Sequence, residues 1–410
     1  MDHNVMAKPG EMPEWTNWSG SLRFTPQEYV RPEDEDMLAA VIRRSHADGK
    51  KVRLAAAGHS SSPLVATPDT LLHLHHFTGM VSYDTAKQIA TFRTGTTVHH
   101  ANEELQRVGL ALFNTGDVDV QTLAGAIATG THGSGRALQN LASMLWGVRM
   151  MDYEGNVQVF SEEEHPDVMR AMRVSLGALG IFTEITVSVL PLFRLRRLEL
   201  CTDVETCLEY FDALADDNRN VDFYWYPRSD EIKVRVLNEP GRGTKSFPAG
   251  FRCVDEEEGF VGEILPRKRT LKFDEMEYAL PREQGIACFR EVRKRMKDKH
   301  RRTVAWRVLY RTIAADQNYL SPHYGRDSVS ISLHHNAGLP FEAFFNDIEP
   351  IFRAHGGRPH WAKKHTLRAE HLQGLYPEWS TFRAIRKSFD PEGCFMNDHL
   401  RELLNPEDNG

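Results

Sequence analysis

Two short loops in this chain have the residue types that hold an anion through the backbone. The first, Ala56-Ala57-Gly58-His59-Ser60-Ser61-Ser62, follows directly on Val52-Arg53-Leu54-Ala55. Its small side chains let main-chain N–H groups approach a phosphate closely, as an anion nest requires. Taken alone, such a loop is equally a polar surface turn. The second, Thr129-Gly130-Thr131-His132-Gly133-Ser134-Gly135, closes a stretch rich in glycine, threonine and alanine over residues 114–135. That stretch is too small in side chain for core and too long for an ordinary turn. Two such loops in one unit imply an extended phosphate-bearing ligand between them, such as a dinucleotide.

Other chemistries leave no trace. The chain has no GxGxxG after a strand, no GxxxxGK[ST], no HExxH and no GxSxG. His73, His75 and His76, and the pair His99-His100, read as alternating side chains of half-exposed elements, and no metal site is expected. Five cysteines are scattered without a CxxC pair, which predicts reduced thiols and a cytoplasmic setting. The formal charge of −7 is spread along the chain without long single-sign blocks, which disfavours a nucleic-acid partner. The opening MDHNVMAKPGEMPEW lacks the apolar core of a secretory leader. No run of about 18 apolar residues predicts a membrane span.

The elements that must position the loops follow from periodicity. Residues 34–46 place Met37, Leu38, Val41 and Ile42 on one helical face, with acids early and bases late. Strands are predicted over 52–55, 71–74 and 88–93, a helix over 98–107, and a hairpin from 145–151 and 157–160. A helix over 166–176 and a strand over 181–190 end the first block at Pro191. Beyond it, strands at 223–226, 233–237, 272–280, 304–310 and 329–333 alternate with helices at 283–297 and 340–354. Residues 239–272, rich in glycine, proline and charge, read as long exposed loops, and 378–404 as helix and turn. The alternation predicts an α+β second unit laid on a sheet.

Several motifs occur in one order: GHSSS, NTGDVDVQTLAGAIATGTHGSG, SLGALGIFT, MEYALPRE, AADQNYLSPHYGRDS, GGRPHWAKKHT and YPEWSTFRAIRKSFDPEGCFMN. With them the chain resembles the sugar-1,4-lactone oxidases, the gulonolactone and arabinonolactone oxidase group of the vanillyl-alcohol-oxidase flavoproteins, with the alditol oxidases as close cousins. The resemblance runs from about residue 15 to residue 404. It implies the two-domain α+β fold of that family: a PCMH-type FAD-binding domain over 15–191, an aldonolactone-oxidase-type cap over 192–370, and a segment over 371–410 that returns to the first domain.

The resemblance also assigns positions. His59 matches the histidine bonded covalently to a methyl of the flavin. Ala55, Ala56, Ala57, Gly58, Ser60, Ser61, Thr122, Gly125, Thr129, Gly130, Thr131, His132 and Ile181 match flavin-contacting positions, and so does His360. Arg311 and Lys363 match the two cations of the substrate site, and His334 the histidine of the lactone branch. The implied reaction moves a hydride from a CH–OH carbon of an aldonolactone, sugar or polyol to flavin N5, with O2 reoxidising the flavin to give H2O2. A polyol oxidase, a dehydrogenase with another electron acceptor, and a flavin binder without turnover are the alternatives. Gly116 matches the oxygen-gating position, where a missing methyl leaves room for O2, although a turn would also favour glycine.

Two positions depart from the pattern. The family's carboxylate two residues before the arginine is replaced by Leu309. On a strand those residues share a face, so Leu309 removes a partner for Arg311 and an acceptor for substrate hydroxyls. Asp117 stands where the cousins have alanine or serine. Either it supplies the missing carboxylate, pairing with Arg311 or accepting substrate hydroxyls, or it caps a loop.

Overall fold

The computed structural model describes residues 5–6, 14–266, 270–304 and 306–405. The stretch read for a leader lies largely outside these residues, as does the end of the C-terminal segment. The helix Glu35–Ala47 begins where the Asp34 side chain accepts from Met37 N, carries Glu35 and Asp36 in its first turn, and ends on Arg44 and His46. It buries Leu38, Val41 and Ile42 with Val52, Leu72 and Phe395. Three parallel strands stand in the order Glu28–Val30, Thr70–His73, Val52–Ala55. The last of them runs straight into the Gly58-His59 loop.

A five-stranded antiparallel sheet follows, in the order Val157–Ser161, Leu145–Met151, Ile181–Ser188, Ile89–Arg93, Met80–Asp84. The glycine-rich stretch contains a short helix, Leu123–Ala128, that the composition hid. Thr122 caps it by accepting from Gly125 N, and Leu123, Ala126 and Ile127 are buried. Gly133 is glycine for a steric reason, since a Cβ there would stand 2.4 Å from Thr115 O.

The residues expected to form the cap carry one eight-stranded antiparallel sheet, the cap sheet. Its order is Arg252–Phe260, Arg194–Asp203, Glu231–Asn238, Asn220–Tyr226, Val308–Ile313, Ser328–Asn336, Phe273–Pro281, Arg358–Pro359. Successive side chains alternate between its faces. On one face Phe223 stacks on Tyr310 with ring centroids 4.7 Å apart. The helix Val204–Asp217 packs there through Phe211, Gly285–Arg295 through Phe289, and Glu342–Ala354 through Phe352. The opposite face presents Tyr224, Leu309, Arg311, His334, Glu275 and Glu277 to a cavity.

The structure corrects the sequence reading in places. Residues 239–272 contain the edge strand Arg252–Phe260, and 194–217 contain a strand and a helix that were not anticipated. The strand read at 304–310 is Val308–Ile313, and residue 305 lies outside the described residues. No helix of the described residues is long and apolar enough to cross a membrane.

One buried arginine joins the C-terminal segment to the loop-bearing unit. Arg53, 3% exposed, donates to Leu64 O at 2.9 Å, to Leu176 O and Gly177 O at 2.8 Å, and to Phe395 O. Burial lowers its pKa to about 10 against the pull of Asp390, so it stays charged at neutral pH. Nearby, Val52 N donates to Cys394 O at 2.9 Å. Replacing Arg53 by Met leaves several buried carbonyls without a donor. The expected result is a loss of about 3 kcal/mol, read as a lower urea midpoint with an unchanged slope.

Candidate active site

The two glycine loops and the polar face of the cap sheet enclose a cavity of about 1040 Å³. That is at the upper end of the roughly 300–1,000 Å³ usual for ligand pockets, enough for a dinucleotide with a small substrate beside it. Ala55, Ala56, Ala57, Gly58, His59, Ser60, Gly116, Asp117, Thr122, Gly125, Thr129, Thr131, His132 and Ile181 line it from one side. From the cap come Leu309, Arg311, His334, His360 and Lys363. Ser61 and Gly130 stand behind the wall. Ser61 N donates to Ala362 O at 2.8 Å, and Gly130 turns the chain at φ +71°.

The residues present fit a flavin dinucleotide. A Cβ at Gly125 would stand 2.8 Å from Thr122 Oγ1, the oxygen that caps the helix, so glycine keeps this wall of the cavity bare of side chain. His59 packs against Trp18 at 4.5 Å between ring centroids, and its Nδ1 is buried without a partner. Burial, with the charge of Lys363, pushes its imidazole down to about 4 against the opposing Glu275. His59 is therefore neutral at physiological pH, with a ring nitrogen held inside the cavity.

Two carboxylates not anticipated from the sequence organise the cap side. Glu275 and Glu277 lie two apart on Phe273–Pro281 and share the cavity face. Glu277 accepts from Arg311 Nη2 at 2.8 Å and from His132 Nε2 at 2.9 Å. Arg311 Nη1 in turn donates to His132 O at 3.0 Å. Burial pushes the Glu277 carboxyl up, but the charges of Arg311 and His132 outweigh it and hold the group well below the usual range. Glu275 pairs with Lys363 and lies 3.5 Å from His334 Nε2, its cross-strand neighbour. The signal in the sequence was a pair of acids two apart, Glu275 and Glu277, within a strand of mainly apolar residues.

Arg311 thus has the Glu277 carboxylate as a partner although position 309 is leucine. Asp117 accepts from Arg235 Nη2 at 2.9 Å and from the Tyr224 hydroxyl. His132, Glu277 and His360 offer ligand atoms within 4.8 Å of one another. A dication there would face the Arg311 guanidinium on the same carboxylate, so this trio reads as part of the ion-pair network.

The glycine cradle, the buried histidine and the paired cations are what a flavin dinucleotide with a small polar substrate beside it would require. Residues 26–161 match the FAD binding domain family, and residues 251–403 the D-arabinono-1,4-lactone oxidase family. The chain is 33% identical to the L-gulono-1,4-lactone dehydrogenase of Mycobacterium tuberculosis over 96% of its own length and 100% of that protein. It is 31% identical to an alditol oxidase of a Streptomyces species, over 95% and 98% of the two chains. In fold it superimposes on cholesterol oxidase from B. sterolicum with a TM-score of 0.83 at 16% identity, covering 95% of this chain and 96% of that one. The chain belongs to the FAD-dependent sugar-1,4-lactone and alditol oxidoreductase family.

A carboxyl held below its unfolded value of about 4.3 stabilises the fold above that pH and loses its contribution as pH falls. Glu277→Gln, which leaves the buried Arg311 without its counter-charge, is expected to cost about 3 kcal/mol near neutrality. It should also flatten the fall in stability between about pH 5 and 3. Urea melts across that range check both outcomes.

Proposed function

We propose that the protein oxidises a CH–OH carbon of an aldonolactone or related polyol and passes the electrons to O2, giving H2O2. The observation that carries this reading is the cavity wall itself, which two cations, Arg311 and Lys363, and the neutral imidazole of His334 all line. When bound, the flavin supplies the hydride acceptor, N5. The hydroxyl must lose its proton as the hydride leaves. Arg311 and Lys363 stabilise the negative charge that develops on its oxygen, a preorganised electrostatic effect. Their own carboxylates, Glu277 and Glu275, keep them from moving.

His334 accepts the proton. Its Nδ1 faces Arg307 O at 3.2 Å, and a carbonyl can only accept, so Nδ1 carries the ring hydrogen and Nε2 the lone pair. Burial lowers its pKa to about 4, against the charge of Glu275, which keeps it unprotonated at neutral pH. Trp18, Phe273 and Trp306 line the same cavity with aromatic surface.

Gly116 lines the cavity, and a methyl there would stand 3.3 Å from Thr131 Cγ2. The space left by its absence supports O2 as the electron acceptor. The Mycobacterium relative is named a dehydrogenase, which makes a different acceptor the second reading. Residues 15–191 with 371–410 hold the cofactor in this account, and 192–370 form the cap. The five cysteines are all unpaired, in keeping with a cytoplasmic setting.

His59 carries the flavin covalently in this account. Acid-precipitated wild-type protein is then yellow and heavier by the mass of FAD, whereas His59→Ala releases its flavin to the supernatant. Equal release from both proteins would reject the tether. The function is tested by anaerobic mixing with L-gulono-1,4-lactone, D-arabinono-1,4-lactone, xylitol and sorbitol. A lactone or polyol should bleach the flavin, and admitting air should restore its colour with stoichiometric H2O2. Bleaching without rapid recovery in air selects the dehydrogenase, and no bleaching by any alcohol selects a flavin binder without turnover.

A further inference from the structure

We propose that Asp117 is the specificity-determining carboxylate of the cavity. It accepts a substrate hydroxyl remote from the one oxidised, and Arg235 and Tyr224 hold it in place for that purpose. The inference rests on the alcohol-oxidising reading above.

Asp117 belongs to the flavin-side loop, yet its side chain reaches across to the cap. Its Oδ1 accepts from Arg235 Nη2 at 2.9 Å and its Oδ2 from the Tyr224 hydroxyl. Neither holder is mobile. Arg235, 5% exposed, is fixed from its other side by Asp222, which accepts from Nε at 2.6 Å and from Nη2 at 2.8 Å. The Tyr224 ring lies under two guanidinium groups, Arg307 at 4.1 Å and Arg235 at 4.7 Å from its centroid. The carboxylate is thereby oriented, and its side chain keeps 22% of its exposure in a residue that lines the cavity.

The sheet beneath explains why a hydroxyl would need this group. Across the strands the register runs Lys233, Tyr224, Leu309, Ser332, Glu277. Leu309 is the apolar member of that row, 3% exposed and facing the cavity. A hydroxyl over Leu309 would lose its water and gain nothing. A well-fitting substrate therefore lays an apolar ring face on Leu309 and carries hydroxyls to either side. One set meets Arg311, Lys363 and His334. The other, on an exocyclic arm, meets Asp117. The substrate class is a small ring with a hydroxylated side chain, in preference to a ring with a single hydroxyl.

The test compares L-gulono-1,4-lactone, which has a hydroxylated arm, with 2-hydroxy-γ-butyrolactone, which has none. Flavin reduction is followed for wild type, Asp117→Ala, Asp117→Asn and Asp117→Ala/Leu309→Glu. Arg235 keeps both contacts to Asp222 in these variants, and the flavin spectrum reports an intact fold. Wild type should prefer the gulonolactone, and Asp117→Ala should lower the kcat/KM ratio of the two lactones about tenfold, chiefly through KM. Asp117→Asn, whose amide oxygen still accepts, should fall between, and restoring a carboxylate at position 309 should recover part of the ratio. An Asp117→Ala ratio within about twofold of wild type, with both lactones slowed alike, would mean a structural latch only and overturns the inference. A wild-type flavin that neither lactone reduces but xylitol or sorbitol does overturns this inference alone, whereas one that none of the four alcohols reduces overturns the alcohol-oxidising reading and this inference with it.

Discussion

The Glu277 carboxylate accepts from Arg311 on its own sheet and from His132 on the second glycine loop, in a space where its side chain is 1% exposed. An ionised carboxylate in such a place is tolerated only if it is paired and hydrogen-bonded. The two donors come from different halves of the molecule. The cap can therefore close over the loop in one register, because any other would strand a buried charge. The geometry of the proposed site follows from that constraint, since the same ion pair fixes the Arg311 guanidinium in the cavity wall.

The cap sheet divides its two duties between its faces. Phe223, Tyr310, Ile331 and Tyr278 are buried beneath three helices. Beside Phe223, Tyr310 and Tyr278 along their strands stand Asp222, Arg311 and Glu277, which carry the charge. The pairs Glu277–Arg311, Glu275–Lys363 and Asp222–Arg235 are each assembled before any substrate arrives. Such pairs add little to net stability, because desolvation offsets their attraction. In the proposed reaction the first two pairs preorganise the cations that would meet the developing alkoxide, and the third holds the arginine that orients Asp117.

The cofactor half of the site was legible in the sequence because its signal is local. Glycine, serine and threonine concentrate at residues 56–62 and 129–135, and the backbone approach they permit needs no distant partner. The helix Leu123–Ala128 escaped notice because its alanines and glycine look like loop. The edge strand Arg252–Phe260 escaped because its acids face solvent on an unpaired edge, where charge guards against aggregation. The cap side of the site was only half visible. Arg311, His334 and Lys363 came through a resemblance. Glu277 acquires its meaning from His132 and Arg311, which lie far from it in sequence and meet it only once strands have paired in register. Asp117 was recognised as unusual, but its partner could not be chosen, since Arg235 and Tyr224 lie on strands whose order only the fold sets.

The central claim is that Glu277 is a buried, ionised counter-charge shared by cap and loop. Infrared difference spectroscopy of the flavin-loaded protein against Glu277→Gln, followed through an acid titration, tests it most directly. The account predicts carboxylate bands for Glu277 that persist below the pH at which free glutamate side chains take up a proton. A protonated carboxyl band assigned to Glu277 at neutral pH would contradict it.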